Sequence, residues 1–428
     1  MSNSRSVRDL GPRFLALWVG QAVSQFGTYV AFLTLPFLVV HIKGQGYAEA
    51  TLEVALTYAL ENIPTLLVGL VGGVLLDRWH LRPVMIAADL IRASAFFYLA
   101  ATLDNYGVGT VFALALLIGS MTTLFDGALY SMIPSVVRHD QLAEANGLMS
   151  AAQQVNFALG PLAAGVLVLT TGTTAVGLFL NGLTFVVSAI SLQWVGRVPH
   201  HRPESDVRSG FLTEAIVGIR YIVAEPRLRA TTIAAAIPNF VVGFIEGTFV
   251  VLAAVVLLTQ NEGQIGILYS ALGIGGVLGA VAAPSVIARI GLGKTMTIGL
   301  GLTGAFLVAV MFTTYGWLTL GLQVGWMFGI SMVNVPLATI RQHYATEAVL
   351  GRVVTASRAI GWATLPLGAL IGGWLGSSED SYVIVARTFP LLLIGTAIWL
   401  GTTVVWRDTF GPGASAPDIT AAARRETA

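Results

Sequence analysis

Long apolar runs separated by short polar turns set the pattern of this chain from residue 14 to residue 405. Each run holds about 20 or more mainly apolar residues, and at about 1.5 Å per helical residue that length crosses a hydrocarbon layer of roughly 30 Å. Twelve spans are predicted: 14–40, 51–76, 84–103, 107–133, 144–170 and 173–195, then 231–258, 263–290, 295–314, 317–340, 353–375 and 382–405. None shows the dyad alternation of a barrel strand. Lipid leaves every backbone polar group to be satisfied within the segment, so each run is read as a helix. The first run is too long for a signal-peptide core and lacks a small-residue cleavage site, so it is expected to be retained.

The apolar pattern stops between Gly196 and Glu225, where His200, His201, Arg202, Glu204 and Asp206 crowd together. The two histidines read as loop residues. Beyond them Phe211, Ala215, Ile216, Ile219 and Ile222 recur at helical spacing, which predicts an amphipathic helix lying on the membrane face. A repeat joins the two sides of this break. Gly72-Gly73-Val74-Leu75 matches Gly275-Gly276-Val277-Leu278, and at nearly the same offset Pro134, Gly147 and Pro161-Leu162 match Pro336, Gly351 and Pro366-Leu367. A register held that far predicts two copies of a six-helix unit in parallel topology. The predicted organisation is all-α: a six-helix bundle over 1–196, a linker with its amphipathic helix over 197–228, a second bundle over 229–407 and a disordered tail over 408–428.

Composition agrees with a bilayer. Hydrophobic residues make up 55% and charged residues 11% of the 428, too few charges to cover a soluble protein of this size. The basic residues are strongly one-sided. Arg5, Arg8, Arg13, Arg78, Arg82, Arg138, the cluster over 197–229, Arg289, Lys294, Arg341, Arg352, Arg358, Arg407, Arg424 and Arg425 fall on the side of the termini, against only Lys43 and Arg387 opposite. By the positive-inside rule both termini are expected in the cytoplasm. A net charge of +1 argues against a nucleic-acid partner, and the absence of cysteine removes disulfides and thiolate ligands. No cofactor or metal is signalled.

Between the second and third runs, a turn packs Asp77, Arg78, His80 and Arg82 behind Gly73. A carboxylate at a helix end near lipid needs a partner, so Asp77 is expected to hold Arg82 or a neighbouring helix terminus, with Asp126 able to join. The spacing Gly73, Asp77, Arg78, Arg82 resembles the loop motif of the major facilitator superfamily, with His80 where a glycine is usual and Leu81 where a basic residue is common. The resemblance covers essentially the whole chain. Arg13, Trp18, Gln21 and Ser24, then Asp77-Arg78-Trp79, Asp89-Leu90-Ile91-Arg92-Ala93, Ala145-Asn146-Gly147, Gly160-Pro161 and Gly351-Arg352 are similar to the bacterial macrolide-efflux and enterobactin-exporter branch. It implies the two-bundle fold, export of a small molecule driven by proton entry, a bacterial cell membrane, a monomer, and a latch formed by Gly73, Asp77, Arg78 and Arg82.

Acids inside membrane runs are costly, roughly 2.5–3.5 kcal/mol at mid-bilayer, and so mark function or internal pairing. Glu246, Glu61 and Asp126, in that order, are the candidates for carrying a coupled proton; structural hydrogen bonding is the alternative for each. Asp89 and Arg92 share a helix face and are expected to pair within it. A cargo cavity needs a few polar groups among apolar and aromatic walls. Gln21, Gln25 and Tyr29 on the first span, Asn62, Asn156, Asn239, Trp326, Asn334, Arg358 and Trp362 form that set, and few charges among them point to an amphiphilic or weakly charged cargo. An exporter of drugs or of a secondary metabolite such as a siderophore is the leading reading, with an importer or facilitator of the same fold beside it. No nucleophile triad, metal-ligand spacing or phosphate-binding loop supports an enzyme, and Gly273-Ile274-Gly275-Gly276 lies inside a span without the strand a dinucleotide loop requires.

Overall fold

The computed structural model of the chain describes residues 10–44, 46–76, 79–103, 107–138, 141–196, 211–345 and 350–407. The helices are α1 Pro12–Lys43, α2 Thr51–Leu76, α3 Leu81–Ala101, α4 Val108–Val136, α5 Leu142–Thr171 and α6 Ala175–Val195. The short α7, Phe211–Ala224, precedes α8 Pro226–Gly247, α9 Phe249–Val251, α10 Glu262–Ile290, α11 Leu292–Val310, α12 Trp317–Tyr344, α13 Leu350–Leu375, α14 Glu379–Thr388 and α15 Leu391–Thr402. Eleven segments among the described residues are long and apolar enough to cross a membrane, α14 and α15 counting as one. The 26-residue α2 supplies the other expected span.

Packing divides the spans into two bundles, and the same partnerships recur in each. In the first, α1 packs on α5 and α6, α2 on α4, and α3 on α4 and α6. In the second, α8 packs on α13 and α15, α10 on α12, and α11 on α12 and α15. The bundles meet along two equivalent seams, α5 against α10 and α2 against α13. The α5–α10 seam is so close that a Cβ on Gly266 would lie 2.6 Å from the Pro161 carbonyl oxygen, and one on Gly165 would lie 2.4 Å from that of Glu262. Small residues allow that approach, and dispersion contacts along it replace the hydrophobic drive that lipid does not supply. These positions lie in the half of the molecule away from the termini, called here the far half.

Two spans depart from the sequence expectation. The seventh was expected as one helix over 231–258, yet α8 breaks at Thr248 and continues through α9 into a π-turn over Leu252–Val256. Non-helical backbone at membrane depth needs internal partners. The Tyr382 hydroxyl on α14 supplies one, 3.2 Å from the Thr248 carbonyl oxygen, and also lies 2.7 Å from the Thr248 hydroxyl. The twelfth was expected as one helix over 382–405 but bends between α14 and α15 at Phe389–Pro390, where proline has no N–H to donate. The α7 helix packs on the start of α13, with Ile222 buried and Ile216, Ile219 and Val223 exposed. Residues 197–210 of the expected 197–228 linker, and the tail over 408–428, lie outside the described residues.

Candidate functional site

A cavity of about 590 Å³ runs along the inner face of the second bundle, from Glu246 in the far half of α8 to Arg341 and Val354 near the terminal-side ends of α12 and α13. That volume lies within the roughly 300–1,000 Å³ of small-molecule sites. Helical periodicity builds its wall. On α12, Trp326, Ile330, Asn334, Leu337 and Arg341 fall on one face, and on α13 so do Val354, Arg358, Gly361, Trp362 and Leu365. The third wall comes from α8, where Asn239 donates through Nδ2 to the Gly361 carbonyl at 2.9 Å and so ties α8 to α13. Trp326 is fully buried and donates its indole N–H to Gln323. Arg358 lies over the Trp362 ring, 5.6 Å from its centroid.

At the far end of the cavity, Glu246 is held from both bundles. Tyr58 of α2 donates to its Oε2 at 3.1 Å, and Tyr269 of α10 lies near enough to act on the same carboxyl group. Aromatic rings close the space behind it. Phe32 lies 6.2 Å from Tyr58 and 4.9 Å from Tyr269, centroid to centroid, while Phe157 and Phe249 lie 5.4 Å and 4.8 Å from Tyr269. The group draws on α1, α2, α5, α9 and α10, so it seals the far half across the bundle interface. On the terminal side Asp126, Tyr130, Asn334 and Arg358 are exposed, and Arg358 acts electrostatically on Tyr130 of the opposite bundle.

Of the residues expected at a cargo cavity, Asn239, Trp326, Asn334, Arg358 and Trp362 line it together with Glu246. The rest sit elsewhere. Asn62 turns back on its own helix, with Nδ2 2.8 Å from the Tyr58 carbonyl oxygen. Asn156 bridges α5 to α1 through a 2.8 Å bond to the Ala22 carbonyl. Tyr29 packs edge-on to Phe157 with centroids 5.5 Å apart. Gln21 and Gln25 keep their Oε1 atoms buried with no partner among the described residues. Glu61 lies beside Gly119 of α4, where a Cβ would meet the Glu61 carbonyl oxygen at 2.1 Å.

Asp126 is exposed on α4 and lies near enough to Arg92 to act on it electrostatically. The expected Asp89–Arg92 ion pair forms inside the first bundle at 2.5 Å, with Arg92 also stacked 4.2 Å and 4.6 Å from the Phe185 and Phe125 centroids. Arg82 caps the end of α6, its Nε 2.9 Å from the Leu192 carbonyl and its Nη2 2.6 Å from Gln193 Oε1. Gly73 is helical within α2, while Asp77 and Arg78, and with them the expected Asp77–Arg82 pairing, lie outside the described residues. Three residues of the site were not singled out in the sequence for it: Tyr58, Tyr269 and Arg341. Arg341 continues the face marked by Trp326 and Asn334, a signal that its position near a span end concealed.

Comparison with known proteins agrees with this architecture. A family model for the Major Facilitator Superfamily matches residues 17–366, most of the chain and part of both bundles. An uncharacterised MFS-type transporter, y4rN of Sinorhizobium fredii, is 28% identical over 414 residues, covering 93% of this chain and 97% of that protein. The enterobactin exporter EntS of Escherichia coli is 26% identical over 406 residues, covering 91% of each. Among solved structures, a bacterial homologue of the iron transporter ferroportin in an inward-facing state superposes with a TM-score of 0.70 at 20% identity, covering 93% of this chain and all of that one. The nucleoside transporter NupG superposes at 0.69 with 13% identity, covering 91% and 98%. The family match through both bundles and the shared fold make this multi-pass membrane protein a transporter of the Major Facilitator Superfamily.

Proposed function

We propose that the protein is a proton-coupled exporter of a small amphiphilic compound, a drug or a secondary metabolite, working by alternating access. The observation that carries the reading is the Tyr58–Glu246 bond at the closed end of the cavity. Glu246 belongs to one bundle and its Tyr58 donor to the other, so a rocking motion that opens the far side must break that bond. A carboxyl that gains and loses donors with each swing changes its affinity for a proton, which is the condition for coupling. Glu61 and Asp126 are the second and third candidates, both on the first bundle. The one-sided basic residues support a cytoplasmic location for both termini in a bacterial cell, and the enterobactin exporters among the relatives favour efflux over uptake. The working unit is a monomer, since each chain contains both bundles and its own cavity.

The test is a pH-sensitive dye trapped in acid-loaded proteoliposomes to which macrolides, cationic dyes and catecholate siderophores are added, wild type against Glu246→Gln. Proton movement that depends on one of these compounds, and is lost in the variant while the compound still binds, is the expected result. Movement of a compound with no proton flux would end the antiport reading and leave a facilitator.

A further inference from the structure

Arg341 is an unusual wall for a cavity of this kind. Its side chain is 8% exposed, and Nε and Nη2 are buried without a hydrogen-bond partner among the described residues. A second guanidinium, Arg358, lines the same cavity and acts electrostatically on it. Two like charges facing one space, one of them nearly buried with two N–H groups unpaired among the described residues, are a costly arrangement unless an anion completes it. Among the described residues, Glu246 at the opposite end is the one acid in the cavity lining. The neighbouring groups are instead Asn334 and the Ser357 hydroxyl, which lies 2.9 Å from the Thr232 hydroxyl.

We infer that Arg341 and Arg358 form a seat for the oxyanion head of the cargo, whose apolar or aromatic body lies against Trp326, Ile330 and Trp362. The assignment rests on the reading of this cavity as the cargo site and narrows the cargo to an organic anion with an amphiphilic body. Guanidinium forks recognise planar oxyanions through two parallel N–H bonds, which a lysine cannot reproduce. The orientation follows from the same wall. The head sits at the terminal-side end, the body reaches toward the buried Trp326, and Glu246 stays separate at the far end, free to exchange its proton.

A matched series of probes with one body and three heads tests this: naphthoate, uncharged naphthamide and naphthylmethylammonium. Each is titrated by calorimetry into the protein in lipid nanodiscs, with empty nanodiscs as the blank. Naphthoate is expected to bind at least about tenfold more tightly than either of the others, and Arg358→Gln, a change at an exposed side chain, to remove that preference. Arg341→Lys keeps the charge and loses the fork, so it is expected to weaken naphthoate several-fold without altering naphthamide. Equal binding of the three probes, preference for the ammonium, no binding of any, or an unchanged preference in Arg358→Gln would each overturn the assignment. Proton movement is read separately with the dye assay. An ammonium probe pumped against a proton gradient would end the anion seat and leave antiport standing, while naphthoate carried without proton flux would do the reverse.

Discussion

Glu246 senses the packing of two bundles through a single phenol. Tyr58→Phe removes that hydroxyl and leaves the ring against Phe32, so the change is confined to one hydrogen bond worth about 1 kcal/mol net. Far-side opening is expected to become roughly fivefold more populated. The chain has no cysteine, so a cysteine introduced at Ala55 on the far-half seam gives a clean readout: faster modification by a membrane-impermeant thiol reagent is expected in Tyr58→Phe. An unchanged rate would show that the bond does not hold the far side shut. At this scale the sequence disclosed its acids readily, because Glu61, Asp126 and Glu246 interrupt apolar runs. It did not disclose their partners. Tyrosine is ordinary in a membrane run, and Arg341 reads as one more terminal-side charge until folding places it on the face of α12 that lines the cavity.

At the scale of elements, the α5–α10 seam decides how the bundles can move. Gly266 has no room for a Cβ against Pro161, so Gly266→Val must part the two helices, at about 1–3 kcal/mol of overpacking. Transport is expected to fall sharply while insertion and abundance persist, and the same cysteine at Ala55 is expected to react faster as the far side is wedged open. Wild-type transport in this variant would mean that the seam yields without cost. Helix number and approximate limits were legible because a bilayer forces long apolar segments. The break at Thr248 was not, since the side chain that braces it, Tyr382, is far away in sequence. Pro390 was visible as a residue, but a proline in a membrane helix can bend it, end it or be tolerated, and only the packing of α14 and α15 decides which.

For the whole molecule, the repeated glycines and prolines made the duplication readable, and the recurring pairs α2–α4 and α10–α12 are its structural form. What no repeat could reveal is the asymmetry. The described cavity belongs to the second bundle alone, while the first contributes Tyr58 behind its closed end and the exposed Asp126 across the gap. That asymmetry has an electrical consequence. If Arg341 and Arg358 release an anion on the far side while a proton enters, each cycle moves two charges in the direction that an interior-negative voltage favours. Each charge draws about 2.3 kcal/mol from about 100 mV. A potassium diffusion potential, negative on the side of the termini, is therefore expected to drive naphthoate efflux with no pH difference across the membrane, and a rate indifferent to voltage would mean that the cycle carries no net charge. On this view the two cavity guanidinium groups let the cell's resting voltage, as well as its proton gradient, power the pump.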